Sequence, residues 1–331
     1  MALVRISDVI TPEVYTAYMV KDTTVNADVF KSGIVASDGM MAALLSGGGR
    51  LFNHPSWGDL DNSEPDVGSD DPALISTPSK IGSFKTQFVR QFHTKSWSTT
   101  DLAKELAGSD PMQRIQSRTS AWWNRSFDRV TISTLNGIIN SNVANNAGDM
   151  VLDISGLAGA LAKLSASVIL EAKQTMGDKA KELTTLVMHS RLYTNLQLLN
   201  LITFIPNSQG VVNIPTYLGY EVMVTDNMPL SGGNYTSYLC SKGIIGFTEN
   251  PPDIPVETYR RPDQGNGTGV ETLFTRRQFA LHPYGFNWTD TTVAAPAVFP
   301  TRANLELAAN WTRPAAIERK HVPFVAIISK G

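Results

Sequence analysis

Cysteine is almost missing: Cys240 is alone in 331 residues. One thiol makes no disulfide within the chain and no Cys-rich zinc site, so neither device organises the fold. It sits in the apolar stretch Tyr238-Leu239-Cys240 and reads as a small buried hydrophobe. The composition suits a reducing compartment or is indifferent to redox state. Apolar runs are short as well. None approaches ~18 uninterrupted residues, which argues against a membrane span. The opening MALVRISDVITPEV is broken by Asp8, Pro12 and Glu13 and lacks the core of a signal peptide. Excess charge of one sign is also absent: 28 Lys and Arg stand against 30 Asp and Glu, a net −2. Nothing global draws the chain to nucleic acid or to an anionic membrane, so any DNA contact must come from a local basic surface.

Catalytic constellations are lacking too. His54, His93, His189, His282 and His321 are far apart and form no HExxH-type pair. Ser190 beside His189 is no triad, and no GxSxG elbow occurs. Gly265, Gly267 and Gly269 form a GNGTG run that opens no helix after a strand, so it reads as a turn and not as a dinucleotide site. No GxxxxGK[ST] loop is present, and Asp226 and Glu249 find no second carboxylate in a recognisable frame. The expectation is a non-enzyme without cofactor or metal. Asp59 and Asp61 fit the first two ligand positions of a calcium loop, but Glu64 stands where its sharp turn needs glycine. The stretch with Asp66, Asp70 and Asp71 reads instead as a solvated or intersubunit acidic surface.

What is present is an uneven sequence of elements. Residues 1–37 read as an extended arm, and 38–46 as a short helix stopped by Gly47-Gly48-Gly49. A strand at 50–57, an acidic turn-rich stretch at 58–80 and an alternating strand at 81–97 make a long hairpin. Phe84, Phe88 and Phe92 share one face, Lys85, Gln87, Gln91, His93 and Lys95 the other, and Val89 and Arg90 break the pattern. An isolated hairpin is marginal in water, so this face, with Trp57, calls for a partner surface on a neighbouring copy.

Thr99 or Thr100 caps a helix DLAKELA ended by Gly108. Asp110 as N-cap and Pro111 at the first helical position open the strongest helix signal. Apolar residues keep helical spacing to about residue 142, weakened late by Gly137, for a rod of roughly 45–50 Å. It carries Arg114, Arg118, Arg125 and Arg129 within roughly 60° of one another, with Asp128 as the local counter-charge. A second helix is expected from the Ser155 cap to Gly177, a buried strand at 183–188 and a third helix from Ser190. Beyond 211 the chain is mostly β, with strands at 211–214, 219–225, 235–240, 243–248, 254–259 and 271–282. Pro255 makes the strand at 254–259 an edge. A helix at 304–311 and a strand at 322–329 close the chain. The pairs Arg260-Arg261 and Arg276-Arg277 each send one arginine to either face of a strand, suiting salt bridges between subunits or a solvated face equally.

This order resembles the major capsid proteins of tailed bacteriophages, whose shell fold is shared with herpesviruses and encapsulin nanocompartments. The stretches that carry the resemblance are LAGSDPMQRIQSRTSAWWNRSFDRV, LTTLVMHSRLYTNLQ, TYLGYEVMVTDNMP, YLCSKGIIGF, TLFTRRQFALHPYGFNW and LELAANWTRPAAIERKHVPFVAIISKG. The resemblance implies an α+β fold: an N-terminal arm and short helix at 1–47, and an E-loop hairpin at 48–98. A peripheral (P) domain at 99–180 would hold the spine helix, an axial (A) domain would span 181–252, and return strands of the P domain would fill 253–331. It implies hexamers and pentamers that close an icosahedral shell around double-stranded DNA in the virion, assembled in host cytoplasm. The chain itself is then the main partner. The others are DNA bound without sequence specificity, a portal, a scaffolding protein expected to be separate because the arm begins at Met1, and optionally a decoration protein; no membrane is involved. Trp57, Phe84, Phe88 and Phe92 become intersubunit candidates. Arg114, Arg118, Arg125 and Arg129 become lumen-facing DNA candidates, the alternative being that they pair with acids elsewhere in the shell. Arg260, Arg261, Arg276 and Arg277 become intersubunit salt-bridge candidates. The rival readings are an encapsulin-like shell around cargo enzymes and, from another class, a β-rich enzyme.

Overall fold

The computed structural model describes residues 29, 32–60, 63–199, 201–206, 213–295 and 297–331. Residues 1–28, 30 and 31 of the arm expected at 1–37, Asp61 and the start of the strand expected at 211–214 lie outside the described residues.

The long helix, Pro111–Asn145, begins as its sequence dictates. The Asp110 carboxylate accepts from Met112 N at 3.0 Å and Gln113 N at 3.4 Å, and Lys104 Nζ lies 2.8 Å from the same side chain. Those bonds fill orphan donors of the first turn, and the anion sits favourably at the dipole's positive end. The preceding helix, Asp101–Ala107, is capped by Thr100 and ends on Gly108 at φ 63°, where a side chain would be strained. Along its first half the long helix buries one stripe through Met112, Trp123 and Phe127. From Val130 to Asn142 nearly every residue is buried.

Two sheets enclose it. The first is built on the 14-residue strand Val270–Pro283, which pairs antiparallel with Gln91–Thr100 on one side. On its other side lie Val256–Arg261 and then Ile245–Glu249, which is joined in parallel by Val35–Ser37. The second has eight strands, with Asn234–Cys240 between Phe324–Lys330 and Thr185–Met188. Alternation on these three strands feeds two cores. Phe324, Ala326, Tyr238, Cys240 and Val187 face the long helix, with Leu135, Ile138, Phe279, Trp288 and Trp311. Val325, Ile327, Leu239, Leu186 and Met188 face helices Ala166–Gln174 and Ser190–Leu198. Successive side chains of a strand point to opposite faces, so one backbone ties both layers together. Among the described residues no helix is long and apolar enough to cross a membrane.

The structure corrects two expectations. The strand expected at 81–97 is two strands, Ser83–Val89 and Gln91–Thr100, with different partners; the break falls at Arg90, where the alternation failed. The helix expected at 155–177 is a 3-10 turn, Gly159–Ala162, followed by Ala166–Gln174, which starts after Ser165 without a side-chain cap bond; Gly159 at φ 59° leaves right-handed helix geometry there. The last strand, Phe324–Lys330, lies between Asn234–Cys240 and Val151–Asp153 in the eight-stranded sheet.

Gly137, read from sequence as a weak point, is a point of close approach. A Cβ there would overlap the Leu305 carbonyl and press on Trp311 Nε1, which donates to that same carbonyl at 2.7 Å. Gly→Ala in an exposed helix gains up to ~1 kcal/mol. Here Gly137→Ala is expected to destabilise by about 1–3 kcal/mol, the cost of overpacking a filled site. Urea unfolding of the soluble subunit measures it, and an unchanged or raised midpoint contradicts the close packing.

Candidate functional site

The hairpin divides into an anchored root and an uncovered tip. At the root, Leu51–Trp57 pairs with Ser83–Val89, placing Phe52 opposite Phe88 with ring centroids 5.2 Å apart. Both rings are buried with Met41, Leu45 and Ala280. The Arg90 guanidinium lies 5.2 Å from the Phe52 ring, donates to Leu45 O at 2.8 Å and also bonds Gly47 O. Arg50 forms an ion pair with Asp290 and donates to Val298 O at 3.0 Å, while Gln87 N donates to Asn287 Oδ1 at 3.1 Å. Phe88 is therefore spent inside its own subunit at 1% exposure, which removes it from the intersubunit candidates. Phe92 stacks on Phe299 at 5.9 Å, also within the chain. The expected single aromatic face fails because Arg90 ends one strand and the next joins Val270–Pro283.

The tip is different. Every described residue from 59 to 83 is exposed. Gly58 N donates to Gly82 O at 2.8 Å and closes the neck. Beyond it the tip bonds mainly to itself, as in Leu74 N to Asp71 O at 3.1 Å and Ser76 Oγ to Asp66 Oδ2 at 2.8 Å. Trp57 at 72%, Val67 at 91% and Ile75 at 86% exposure, with Leu60 and Leu74, leave apolar surface in water. Trp57 and Phe84 border a concavity of about 380 Å³ with Gly285, Ile317 and His321.

The arginines of the long helix do not share one environment. Arg114 and Arg129 are exposed; Arg118 and Arg125 are half-buried and already engaged in interactions. Asp128, expected as their counter-charge, is fully buried and accepts from Val29 N and Asn227 Nδ2, each at 3.0 Å. Arg129 opens onto a cleft of about 530 Å³ between the long helix and the eight-stranded sheet, with Asn136, Asn140, Arg302 and Glu306 on its walls. Sequence reading missed this cleft, because its walls meet only in three dimensions. The four strand arginines each have an acid of their own chain: Arg260 with Asp101, Arg261 with Asp263 at 3.4 Å, Arg276 with Glu257 at 2.6 Å and Arg277 with Glu249 at 2.8 Å.

Also missed was the clamp that joins the end of the long helix to residues 313–324. Arg313 meets Asp149 at 2.7 Å, and Asn142 Nδ2 donates to Asp149 Oδ1 at 2.6 Å. Burial would raise the Asp149 carboxyl, but the bonds from Arg313 and Asn142 outweigh it and hold it below the usual range. Arg319 donates to the carbonyls of Asp149, Val322 and Phe324, and burial pushes its guanidinium down to about 10. Among the described residues no three His, Cys, Asp or Glu side chains converge as metal ligands. Cys240 is buried, and burial pushes its thiol up to about 12.

A family model for major capsid protein 13-like proteins matches residues 124–325. The major capsid protein of Bacillus phage SPP1 is 37% identical over 321 residues, covering 95% of this chain and 94% of that one. The cyanophage Pam1 capsid superposes with a TM-score of 0.62 at 10% identity, over 96% of both chains. The capsid of a native GTA particle gives 0.57 at 10% identity over 97% of this chain and 96% of that one. The head of Helicobacter pylori bacteriophage KHP40 gives 0.54 at 10% identity over 98% and 96%. At such identities the solved structures speak for the fold alone.

The root of the hairpin carries a pH dependence. His282 is buried between Phe88 and Trp311, at 6.0 and 6.3 Å, and its Nε2 has no partner among the described residues. Burial pushes its imidazole down to about 4, against a bond to the Phe286 backbone that favours the proton. The unfolded imidazole titrates near ~6.5. As pH falls the unfolded chain takes the proton first, so stability is full above about 6.5, declines toward about 4 and levels off below it. His93, also lowered by burial, adds to the slope. Urea midpoints from pH 7.5 to 4.5 should fall, and His282→Gln should fall less steeply; parallel slopes contradict this account.

Proposed function

This chain belongs to the major capsid protein 13-like family, and from that premise we propose that the uncovered tip at 58–82 is completed by a neighbouring copy in the shell. The chain is a structural protein of a tailed-phage head and not an enzyme. The cargo-enclosing nanocompartment reading drew on the fold alone, and the relationship to a phage head protein favours the genome-enclosing shell.

The observation that carries the docking proposal is the tip itself. Its apolar side chains stand in water on a segment with few internal bonds, whereas the root is fixed by two arginines and a buried aromatic pair. Covering a large apolar side chain contributes about 1.5–3 kcal/mol. Trp57, Leu60, Val67, Leu74 and Ile75 together can thus hold a neighbour even after ordering costs are met. Copies joined this way form hexamers and pentamers of an icosahedral shell around double-stranded DNA. A portal and a scaffolding protein complete the head, and a decoration protein is an optional addition. Assembly takes place in the host cytoplasm.

DNA inside is met through phosphates, without sequence reading, by the long-helix arginines, of which Arg114 and Arg129 are the exposed pair. The competing arrangement pairs these arginines with acids of another subunit.

Two outcomes test the reading. Trp57→Ala should leave the subunit's unfolding midpoint nearly unchanged and lower the yield of closed particles in electron micrographs; normal yield contradicts the docking role. Shells of Arg114→Glu/Arg129→Glu should hold less DNA per particle by absorbance ratio, and normal packing density assigns these arginines to protein contacts instead.

A further inference from the structure

The strand Val256–Arg261 is exposed at all six positions. It pairs with Val270–Pro283 along one edge only. Arg276 N donates to Pro255 O at 2.8 Å, which makes Val256 and Thr275 a non-hydrogen-bonded pair. By alternation Glu257, Tyr259 and Arg261 turn their backbone groups inward to the sheet. Val256, Thr258 and Arg260 turn theirs outward, where no backbone partner occurs among the described residues. An open edge of this kind is a template for another strand, and proteins usually blunt it. Here Pro255 and Pro262 flank the strand without covering it, and Val256 and Tyr259 stay more than half exposed.

The side chains suit one particular partner. Trp123 Nε1 donates to Thr275 Oγ1 at 3.1 Å, which marks the face of this sheet turned to the long helix. Val256 is opposite Thr275, so Val256, Thr258 and Arg260 share that face, and Glu257, Tyr259 and Arg261 occupy the other. Glu257 and Arg261 thus flank Tyr259 symmetrically with opposite charge. Among the described residues Arg261 meets Asp263 at 3.4 Å in an exposed contact, and Glu257 meets Arg276 through Oε2 at 2.6 Å while staying open to solvent.

We propose that this edge pairs antiparallel with the same edge of a second copy, about a two-fold axis through Tyr259. Thr258 and Arg260 then exchange backbone bonds with Arg260 and Thr258 of the other copy. Tyr259 faces its counterpart, and each Glu257 faces an Arg261. The register follows from the outward groups: only residues that both point outward can bond, and centring on Tyr259 is the choice that sets unlike charges opposite. The contact is isologous, made by one patch meeting itself. It rests on the shell reading only for the supply of many copies, and it is a joint distinct from the tip.

The test uses full-length chain assembled into particles. Directly opposed non-hydrogen-bonded residues stand ~4.5 Å apart at Cα, within disulfide reach, and the buried Cys240 gives no background. Tyr259→Cys under mild oxidation should yield covalent dimers on non-reducing gels, while Arg260→Cys, which has no counterpart opposite itself, should not. Particles without a 259–259 link, or with equal linking at both positions, overturn the pairing and leave the shell reading intact. Absence of particles from the unaltered chain overturns both. Independently, Arg261→Glu, which leaves the Glu257–Arg276 pair of its own chain intact, should lower particle yield several-fold, and Arg261→Lys should keep it; equal yields of the two variants also overturn the proposal.

Discussion

The fold depends on one strand that serves two interiors. Phe324–Lys330 lays Phe324 and Ala326 against the long helix and Val325 and Ile327 against the short helices, so the layers cannot shift separately. The long helix in turn comes close enough to Leu305 and Trp311 to demand glycine at 137. The Asp149, Arg313 and Arg319 clamp fixes the segment that leads into the strand. What emerges is a stiff body made by packing at short range.

Against that body the hairpin is deliberately uneven. Its root has buried aromatic rings and guanidinium groups bonded to backbone carbonyls, and such desolvated contacts hold direction well. Its tip has neither core nor ladder. A segment like this is informative because folding alone does not account for it: a chain that could cover Val67 and Ile75 by folding back has not done so.

Much of the fold could be read in the sequence where local chemistry decides. Asp110 with Pro111 and Thr100 with Gly108 each specify a helix through its caps, and the structure keeps them. Reading failed where tertiary contacts decide. Phe84, Phe88 and Phe92 have the spacing of one face, yet Arg90 divides them between two sheets. Gly156 and Gly159 interrupt a stretch whose apolar spacing suggested a continuous helix. The arginine stripe was legible as a pattern, but the burial of Asp128 and the half-burial of Arg118 and Arg125 follow from neighbours far away in sequence. The cleft beside Arg129 had no linear signal at all.

The acids of the tip bear on how copies can be arranged. Asp59, Glu64, Asp66, Asp70 and Asp71 are scattered among its apolar side chains. Two tips brought together would crowd like charges, so stickiness between identical tips is suppressed while the apolar surface stays available. In the shell we propose, each tip is then received by an unlike surface of the next molecule. A join between unlike surfaces repeats by rotation, and when the rotation divides the circle evenly it stops growing by closing on itself. Carboxylates in a loop thereby favour rings over pairs.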